Sequence, residues 1–370
     1  MKIGITLNMS QSFWSNGLNQ NVKMLVDLLK RLGHTVYYIT NTEINKKQFN
    51  FKFNSINLKT VEQGKGPSLD ILISAGYELS TKSLELLKNR NKNIKIILLQ
   101  LGNKVMFDMS YLLFEKREQN FQFNTVESLR SFVDAVWISP HHSFGAEYVK
   151  IAYGCENVKV APFIWDPCFI QDKILDLKKK GRSPFFDPTK VNTVQIFESN
   201  TIINKHMLIP FAISQRLELN FPNTLSKINI FCCSKIRHQA YFKTWMSAFE
   251  IVRRENFVFF NDRWNSLDAL ANFGGVVVSH HYDNDLNYAH LEALYMGIPL
   301  VHNSEALSDH GYFYPKFDVS MGSNQLYSAI NNHEQVHDEY MSTAREFIKD
   351  NFSPYNDNIM HTYQKMIEDV

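Results

Sequence analysis

The sequence predicts an α/β protein of two doubly wound, Rossmann-like domains facing a cleft. Three observations carry that prediction. Short apolar runs alternate with helical patterns along most of the chain, and the alternation dissolves once, over residues 166–190, before resuming. The runs LDILISA (69–75), IKIILLQ (94–100) and AVWIS (135–139) are continuously apolar, as strands buried on both faces of a parallel sheet are. The length, 370 residues, suits two domains of ordinary size.

The N-terminal domain, residues 1–165, opens with a strand at 2–7. Residues 17–32 then place Val22, Leu25, Val26, Leu29 and Leu32 on one helical face, and Gly33 fits the helix C-cap. TVYYIT (35–40) follows as the second strand, ahead of the three runs above. Residues 166–190 read as a linker, with Pro167, Pro184, Pro188, the basic run Lys178–Lys180 and a short helix over 170–179. The C-terminal domain, 191–350, has strand-like runs at 193–197, 228–233, 257–260, 275–280 and 299–303. Helices are expected at 204–219, 237–252, 286–296, 323–332 and 335–349, with a last C-terminal helix in 351–370. Ligands of open α/β sheets bind outside the carboxyl ends of the strands, so the cleft is the expected site.

Composition narrows the class. Hydrophobic residues at 44% and charged residues at 21% exclude a disordered chain. No apolar run approaches the ~20 residues that span a bilayer. MKIGITL is followed at once by Asn8, Ser10 and Gln11, which reads as a buried strand and not a secretory leader; a cytoplasmic location is expected, that of the host if the gene is a phage's. Cys155, Cys168, Cys232 and Cys233 lack metal-ligand spacing and read as reduced, buried thiols. There is no Gly-x-Gly-x-x-Gly for a tightly bound dinucleotide and no Gly-x-Ser-x-Gly nucleophile. Charge is uneven: residues 1–165 hold 20 Lys+Arg against 13 Asp+Glu, whereas the remainder holds 19 against 24. An excess of +7 on one domain suits a polyanionic partner.

The segment with the most chemistry is HHYDNDLNYAHLEALYMGIPLVHN (280–303). A strand ends, a polar loop enters a helix carrying Glu292, and Gly297 and Pro299 close it before another strand. This layout resembles the donor site of glycosyltransferases of the two-Rossmann (B) fold. The resemblance implies that the helix N-terminus faces the diphosphate of a nucleotide sugar, where unpaired N–H groups favour an anion. It places Asn287 and Tyr288 near the phosphates, His280 and Asn284 in the donor loop, and Glu292 on the ribose hydroxyls. Asn284 stands where many retaining members carry a second Glu. Asp283-Asn284-Asp285 also matches a short Asp-x-Asp metal motif, although a metal is usually dispensable in this fold class and none is expected here.

QIFESNTIINKHMLIP (195–210) ends a strand at Glu198, Ser199 and Asn200 and is expected to enter a helix with Lys205 in its early part. Ser199 or Asn200 suits the cap, and Lys205 suits the departing diphosphate, where charge develops. NMSQSFWSNGLNQN (8–21) links the first strand to the first helix and offers Asn16 and Gly17 to the transferred sugar. For a catalytic base the candidates are Asp108, preferred, and Glu78 or His141 and His142, all following strands of the N-terminal domain.

Two further resemblances bear on the acceptor. SNGLNQN, FESNTIINK, LNYAHLEALYMGIPLVHNSE and GYFYPKFD look like a poorly characterised family of bacterial and phage proteins regarded as B-fold glycosyltransferases. HHYDNDLNYAHLEALYMG is similar in layout to the donor segment of the phage β-glucosyltransferases that modify 5-hydroxymethylcytosine in DNA. In those enzymes a catalytic Asp follows the strand matching IKIILLQ; here Gly102 and Asn103 occupy that place, which leaves Asp108 nearby. The resemblance implies a UDP-sugar donor, arabinosyl or glucosyl transfer, and a flipped base in duplex DNA. Lys104, Lys116, Arg117 and Arg130 are then the expected backbone contacts. Competing readings are a bacterial transferase of surface polysaccharide synthesis and a non-catalytic two-domain sugar or nucleotide binder.

Overall fold

The computed structural model describes residues 1–9, 17–41, 54–114 and 131–370. Strands of two to six residues build two parallel sheets, and the chain divides into two units, Met1–Asp166 with Asn351–Val370, and Pro167–Asp350. In the first unit the elements run β1 (Lys2–Leu7), α1 (Gly17–Arg31), β2 (Thr35–Thr40), β3 (Ser55–Asn57), α2 (Leu58–Glu62), β4 (Ile71–Ser74) and α3 (Thr81–Arg90). They continue as β5 (Lys95–Gln100), α4 (Lys104–Phe114), β6 (Ala135–Ile138), a 3₁₀ turn at Pro140–Gly145, α5 (Ala146–Tyr153) and β7 (Val158–Val160).

Among the described residues this sheet has the order β3-β2-β1-β4-β5-β6-β7, every pair parallel. The central strands are wholly buried, as in Ile71–Ser74 and Ala135–Ile138, which explains their unbroken apolar runs. Helix α1 buries Val22, Leu25, Val26 and Leu29 completely. The strand order reverses between β1 and β4. There Thr6 Oγ1 accepts from Ala75 N at 2.8 Å and donates to Tyr77 O at 3.0 Å, drawing the two strand ends together. Gly76 makes that approach possible: a Cβ there would lie 2.7 Å from the backbone of Thr6, Leu7 and Asn8.

The second unit runs α6 (Cys168–Lys179), β8 (Thr193–Ile196), α7 (Leu208–Asn220), β9 (Lys227–Ile230), α8 (Ala240–Met246), β10 (Val258–Phe260) and α9 (Ser266–Phe273). It continues as β11 (Val276–Val278), α10 (Tyr288–Tyr295), β12 (Leu300–His302), β13 (Tyr312–Phe313) and the long α11 (Val319–Phe352). The described strands form the order β10-β9-β8-β11-β12-β13, again all parallel, with the reversal between β8 and β11. The last helix, α12 (Asp357–Glu368), belongs to the first unit, where Tyr363 meets Trp137 edge-on and donates to Pro162 O at 2.9 Å.

Several elements differ from the sequence expectation. Residues 167–190 cluster with the second unit: α6 pairs Lys173 with Asp268 at 2.8 Å, and Phe186 stacks on His337. The helices expected at 323–332 and 335–349 are one. The polar residue at the expected break, His333, is fully buried, its ring held by Gly297 O at 3.0 Å and the Tyr312 hydroxyl at 3.1 Å. The helix expected at 237–252 is α8 followed by a 3₁₀ turn at Glu250–Arg253. Strand β9 stops at Ile230, so Cys232 is not in a strand; it adopts φ 59° and, like Cys168, is only partly buried. No helix among the described residues is long and apolar enough to cross a membrane.

Gly76→Ala should lower stability by about 2–3 kcal/mol, because the added methyl meets backbone that cannot move aside alone. A urea midpoint within experimental error of the parent's would show that the β1–β4 approach is looser than described.

Candidate functional site

The reversal of strand order between β8 and β11 opens the edge of the second sheet to a ligand, and polar residues collect there. The chain leaves β8 through Glu198 and leaves β11 through Ser279, His280 and His281, all buried. Glu198 ties the two exits together. Its Oε1 accepts from Ser279 Oγ at 2.5 Å and from His280 N at 3.3 Å, and its Oε2 lies 3.0 Å from His281 Nε2. Burial pushes this carboxyl up, but the His281 ring, its hydrogen bonds and Lys205 outweigh burial, and the net shift is downward.

His281 in turn fixes the loop into α10. Its Nδ1 lies 3.1 Å from Asn284 O and 3.2 Å from Asn284 Nδ2, and Asn287 Nδ2 approaches Nε2 at 3.3 Å. Asn287 is the N-cap of α10, accepting from Ala289 N at 3.2 Å. Tyr288 begins the helix, half-buried. One turn on, Glu292 accepts from Ser266 Oγ at 2.8 Å. It retains some exposed area, yet its surroundings are dense enough that burial pushes its carboxyl up to about 7, against the Ser266 hydrogen bond. Gly297 ends the helix with φ 69°, in the left-handed region that suits glycine.

Asn200 and Lys205 reach the same edge from β8. Lys205 precedes α7 and is not within it: the segment turns back on itself through bridges pairing Lys205 with Ile202 and with His281. The turn comes from Asn200, left-handed at φ 53°, whose N–H donates to Lys205 O at 3.1 Å and whose Oδ1 accepts from Met207 N at 2.9 Å. Asn200 thus anchors the helix entrance from seven residues away. Burial pulls the Lys205 ammonium below its usual range, with Glu198 opposing. Non-glycine residues with positive φ also follow β9 (Cys232), β11 (Asp283) and β13 (Lys316). Backbone strain of this kind persists where the surrounding structure holds it, and it collects at functional sites.

Sequence reasoning named Asn200, Lys205, His280, Asn284, Asn287, Tyr288 and Glu292, and the structure brings all of them to this one edge. It did not single out Glu198, Ser266, Ser279, His281, His290 or Tyr314. His290 Nε2 sits 2.8 Å from Ser279 Oγ, and its ring stacks on His281. The density of histidine in 280–302 was the signal for some of them; Ser266 and Tyr314 come from distant segments. Among the described residues no group of His, Cys, Asp and Glu is arranged to hold a metal ion.

In the first unit, the carboxyl edge of β4 and β5 carries a second cluster. Asp108 accepts from Lys104 Nζ at 2.5 Å and from the Tyr148 hydroxyl at 2.6 Å. The Lys104 ammonium also lies 5.4 Å from the Tyr153 ring centroid, so this expected DNA contact is engaged within its own unit. The Glu78 side chain is exposed, yet the groups packed around its carboxyl desolvate it and raise it, with Lys104 opposing and Asp108 adding to the rise. His141 and His142 lie in the 3₁₀ turn after β6, ring to ring at 3.9 Å. Gly17 is the first residue of α1. Asn16, Lys116, Arg117 and Arg130 lie outside the described residues.

The chain belongs to the family described as protein of unknown function, DUF2827, whose model matches residues 3–367. No curated protein matches it by sequence. Solved structures are similar over the whole chain. An α-glucosyltransferase in complex with UDP and a 13-mer DNA containing a HMU base has 15% identity and a TM-score of 0.61, covering 100% of this chain and 99% of that one. Sucrose-phosphate synthase from Thermosynechococcus elongatus has 12% identity and a TM-score of 0.61, covering 100% and 98%. HepE from Anabaena, in complex with UDP-glucose, has 13% identity and a TM-score of 0.57, covering 100% of both chains. The fold is therefore that of the two-Rossmann glycosyltransferases.

Glu292 supplies a prediction about stability. Its carboxyl is neutral in both folded and unfolded chains below about pH 4.5. As pH rises the unfolded chain ionises first, so the folded state loses relative stability until pH passes about 7. Glu292→Gln escapes this loss. It should become more stable than the parent by on the order of 3 kcal/mol above pH 7, with the gap opening between pH 4.5 and 7. Urea titrations showing a gap that does not change with pH would contradict the buried carboxyl.

Proposed function

We propose that the chain is a glycosyltransferase that moves a sugar from a UDP-sugar to an acceptor hydroxyl. One observation carries this reading: the N-terminus of α10, Lys205 and Glu292 converge at the strand-order reversal of the second sheet. The helix end offers N–H groups to a diphosphate. Lys205, held in desolvating surroundings, gains a partner when the diphosphate arrives and meets the charge that grows on it as the glycosidic bond breaks. Ionised Glu292 accepts hydrogen bonds from the ribose hydroxyls. Asn287 and Tyr288 stand at the phosphate end of the site, and His280 and Asn284 are buried in the loop that leads to it. No tightly bound cofactor enters this scheme; the UDP-sugar is a substrate.

The acceptor we infer is 5-hydroxymethylcytosine in DNA, with glucose or arabinose transferred. The +7 charge of residues 1–165 supports a polyanionic acceptor, as does the shared fold with an α-glucosyltransferase seen with UDP and modified DNA. Lys116, Arg117 and Arg130 are the proposed backbone contacts. If a base deprotonates the acceptor hydroxyl, Glu78 is better suited than Asp108. Its carboxyl is shifted upward, which favours taking a proton, whereas Asp108 is already held by Lys104 and Tyr148.

Glu292→Ala should weaken UDP binding by about 1–3 kcal/mol in calorimetry, and unchanged affinity in a folded variant would remove Glu292 from the site. Lys205→Ala should lower kcat by about 10²-fold with a smaller effect on donor affinity; a change confined to KM would make it a ground-state contact. For the acceptor, hydroxymethylated duplex is incubated with the protein and a panel of UDP-sugars, and the nucleosides are then weighed by mass spectrometry. A hexose or pentose adduct on hydroxymethylcytosine is expected. UDP-sugar hydrolysis without any adduct would reject the DNA acceptor and leave the donor assignment standing.

A further inference from the structure

Behind the donor loop lies a histidine whose protonation pattern is set by its neighbours. His280 is 4% exposed. Its Nδ1 lies 3.0 Å from the Tyr314 hydroxyl, and that hydroxyl donates to Ser279 O at 3.0 Å. A carbonyl oxygen can only accept, so the phenolic hydrogen is spent on Ser279. The phenol oxygen is then left to accept from His280, which puts the ring hydrogen on Nδ1. Nε2 is consequently a bare lone pair, and it is buried with no hydrogen-bond partner among the described residues. A buried acceptor left unpaired is destabilising until a donor reaches it. Burial lowers the ring to about 4, with Glu198 opposing and His281 reinforcing, so Nε2 stays unprotonated at neutral pH.

Topology says which part of a nucleotide sugar would meet this lone pair. Ser266, the partner of Glu292, begins the crossover from β10, at one edge of the sheet. Tyr314, the partner of His280, follows β13, at the other edge. With the diphosphate at the α10 N-terminus and the ribose on Glu292, the transferred sugar extends toward His280. Phe317 covers the His280 ring, the centroids 4.5 Å apart, and touches Tyr282 at 5.8 Å. Phe317 and Tyr282 are already 53% and 42% exposed, so swinging Phe317 aside exposes little new apolar surface. Their faces offer a sugar ring apolar contact beside the lone pair.

Resting on the UDP-sugar reading above, we propose that His280 is a specificity-determining residue. It accepts a hydrogen bond through Nε2 from a hydroxyl of the transferred sugar, and Tyr314 is the positioning residue that holds it in the required tautomer. The assignment needs neither His280 nor Tyr314 to take part in bond breaking.

Calorimetry with UDP and with UDP-glucose, UDP-galactose and UDP-xylose tests this. In His280→Ala, UDP affinity should stay within twofold of the parent, while the sugar nucleotide bound most tightly by the parent should weaken about 5- to 10-fold. Tyr314→Phe should weaken the same ligand by a smaller factor and again spare UDP. An equal loss for UDP and the sugar nucleotides, or no loss for either, overturns the proposal. Failure of the parent to bind UDP at all would instead sink the donor-site reading beneath it. Nitrogen-15 spectra of the parent, with the His280 ring assigned by through-bond correlation to its own backbone, give a readout that survives a variant's misfolding. Nε2 should appear unprotonated at pH 7, shifting on addition of the sugar nucleotide and not of UDP. A protonated Nε2, or one indifferent to the sugar, contradicts the assignment.

Discussion

The loops at the carboxyl edge of the second sheet depend on one buried carboxylate. Glu198 sits where the strand order reverses, and it hydrogen-bonds Ser279, His280 and His281 across the gap between β8 and β11. An open parallel sheet leaves that gap as its natural ligand site, but a gap between diverging loops has no shape of its own. Glu198 gives it one. Through His281 the constraint passes to Asn284 and Asn287, and so to the first turn of α10. Through Ser279 it passes to His290, and the Ser279 carbonyl holds Tyr314. Removing a buried charge's partners, or leaving the partners without the charge, is costly, so this network specifies one arrangement of the loops.

The charges around it are left in tension. Burial pulls Lys205 below its usual range and lifts Glu292 to about 7. His280 and His302 are held near 4. Groups held away from their preferred charge states gain when a ligand of the complementary charge pattern binds beside them. A diphosphate would favour the charged form of Lys205, and ribose hydroxyls would favour the ionised form of Glu292.

The fold was legible because buried parallel strands are written as unbroken apolar runs. The strands that escaped notice, β3, β7 and β13, are two or three residues long and half-buried or exposed, so their sequence differs little from that of loops. The continuity of α11 was hidden at His333, which reads as a polar interruption until its buried hydrogen bonds to Gly297 and Tyr312 are seen. Within the candidate site, His280, Asn287 and Glu292 were named because one strand–loop–helix segment resembles a B-fold donor site, and the structure places them on one sheet edge. Lys205 was misplaced into a helix because the turn that displaces it is set by the left-handed Asn200. Ser266 and Tyr314 were illegible because each acts on a partner 26 or 34 residues away, through contacts that no local pattern encodes.

The most direct measurement is a crystal structure of the full chain with UDP. The account predicts the diphosphate against the first turn of α10 with the Lys205 ammonium in contact, and the ribose hydroxyls on Glu292. A nucleotide bound at another edge, or one in this site whose ribose turns away from Glu292, would contradict it.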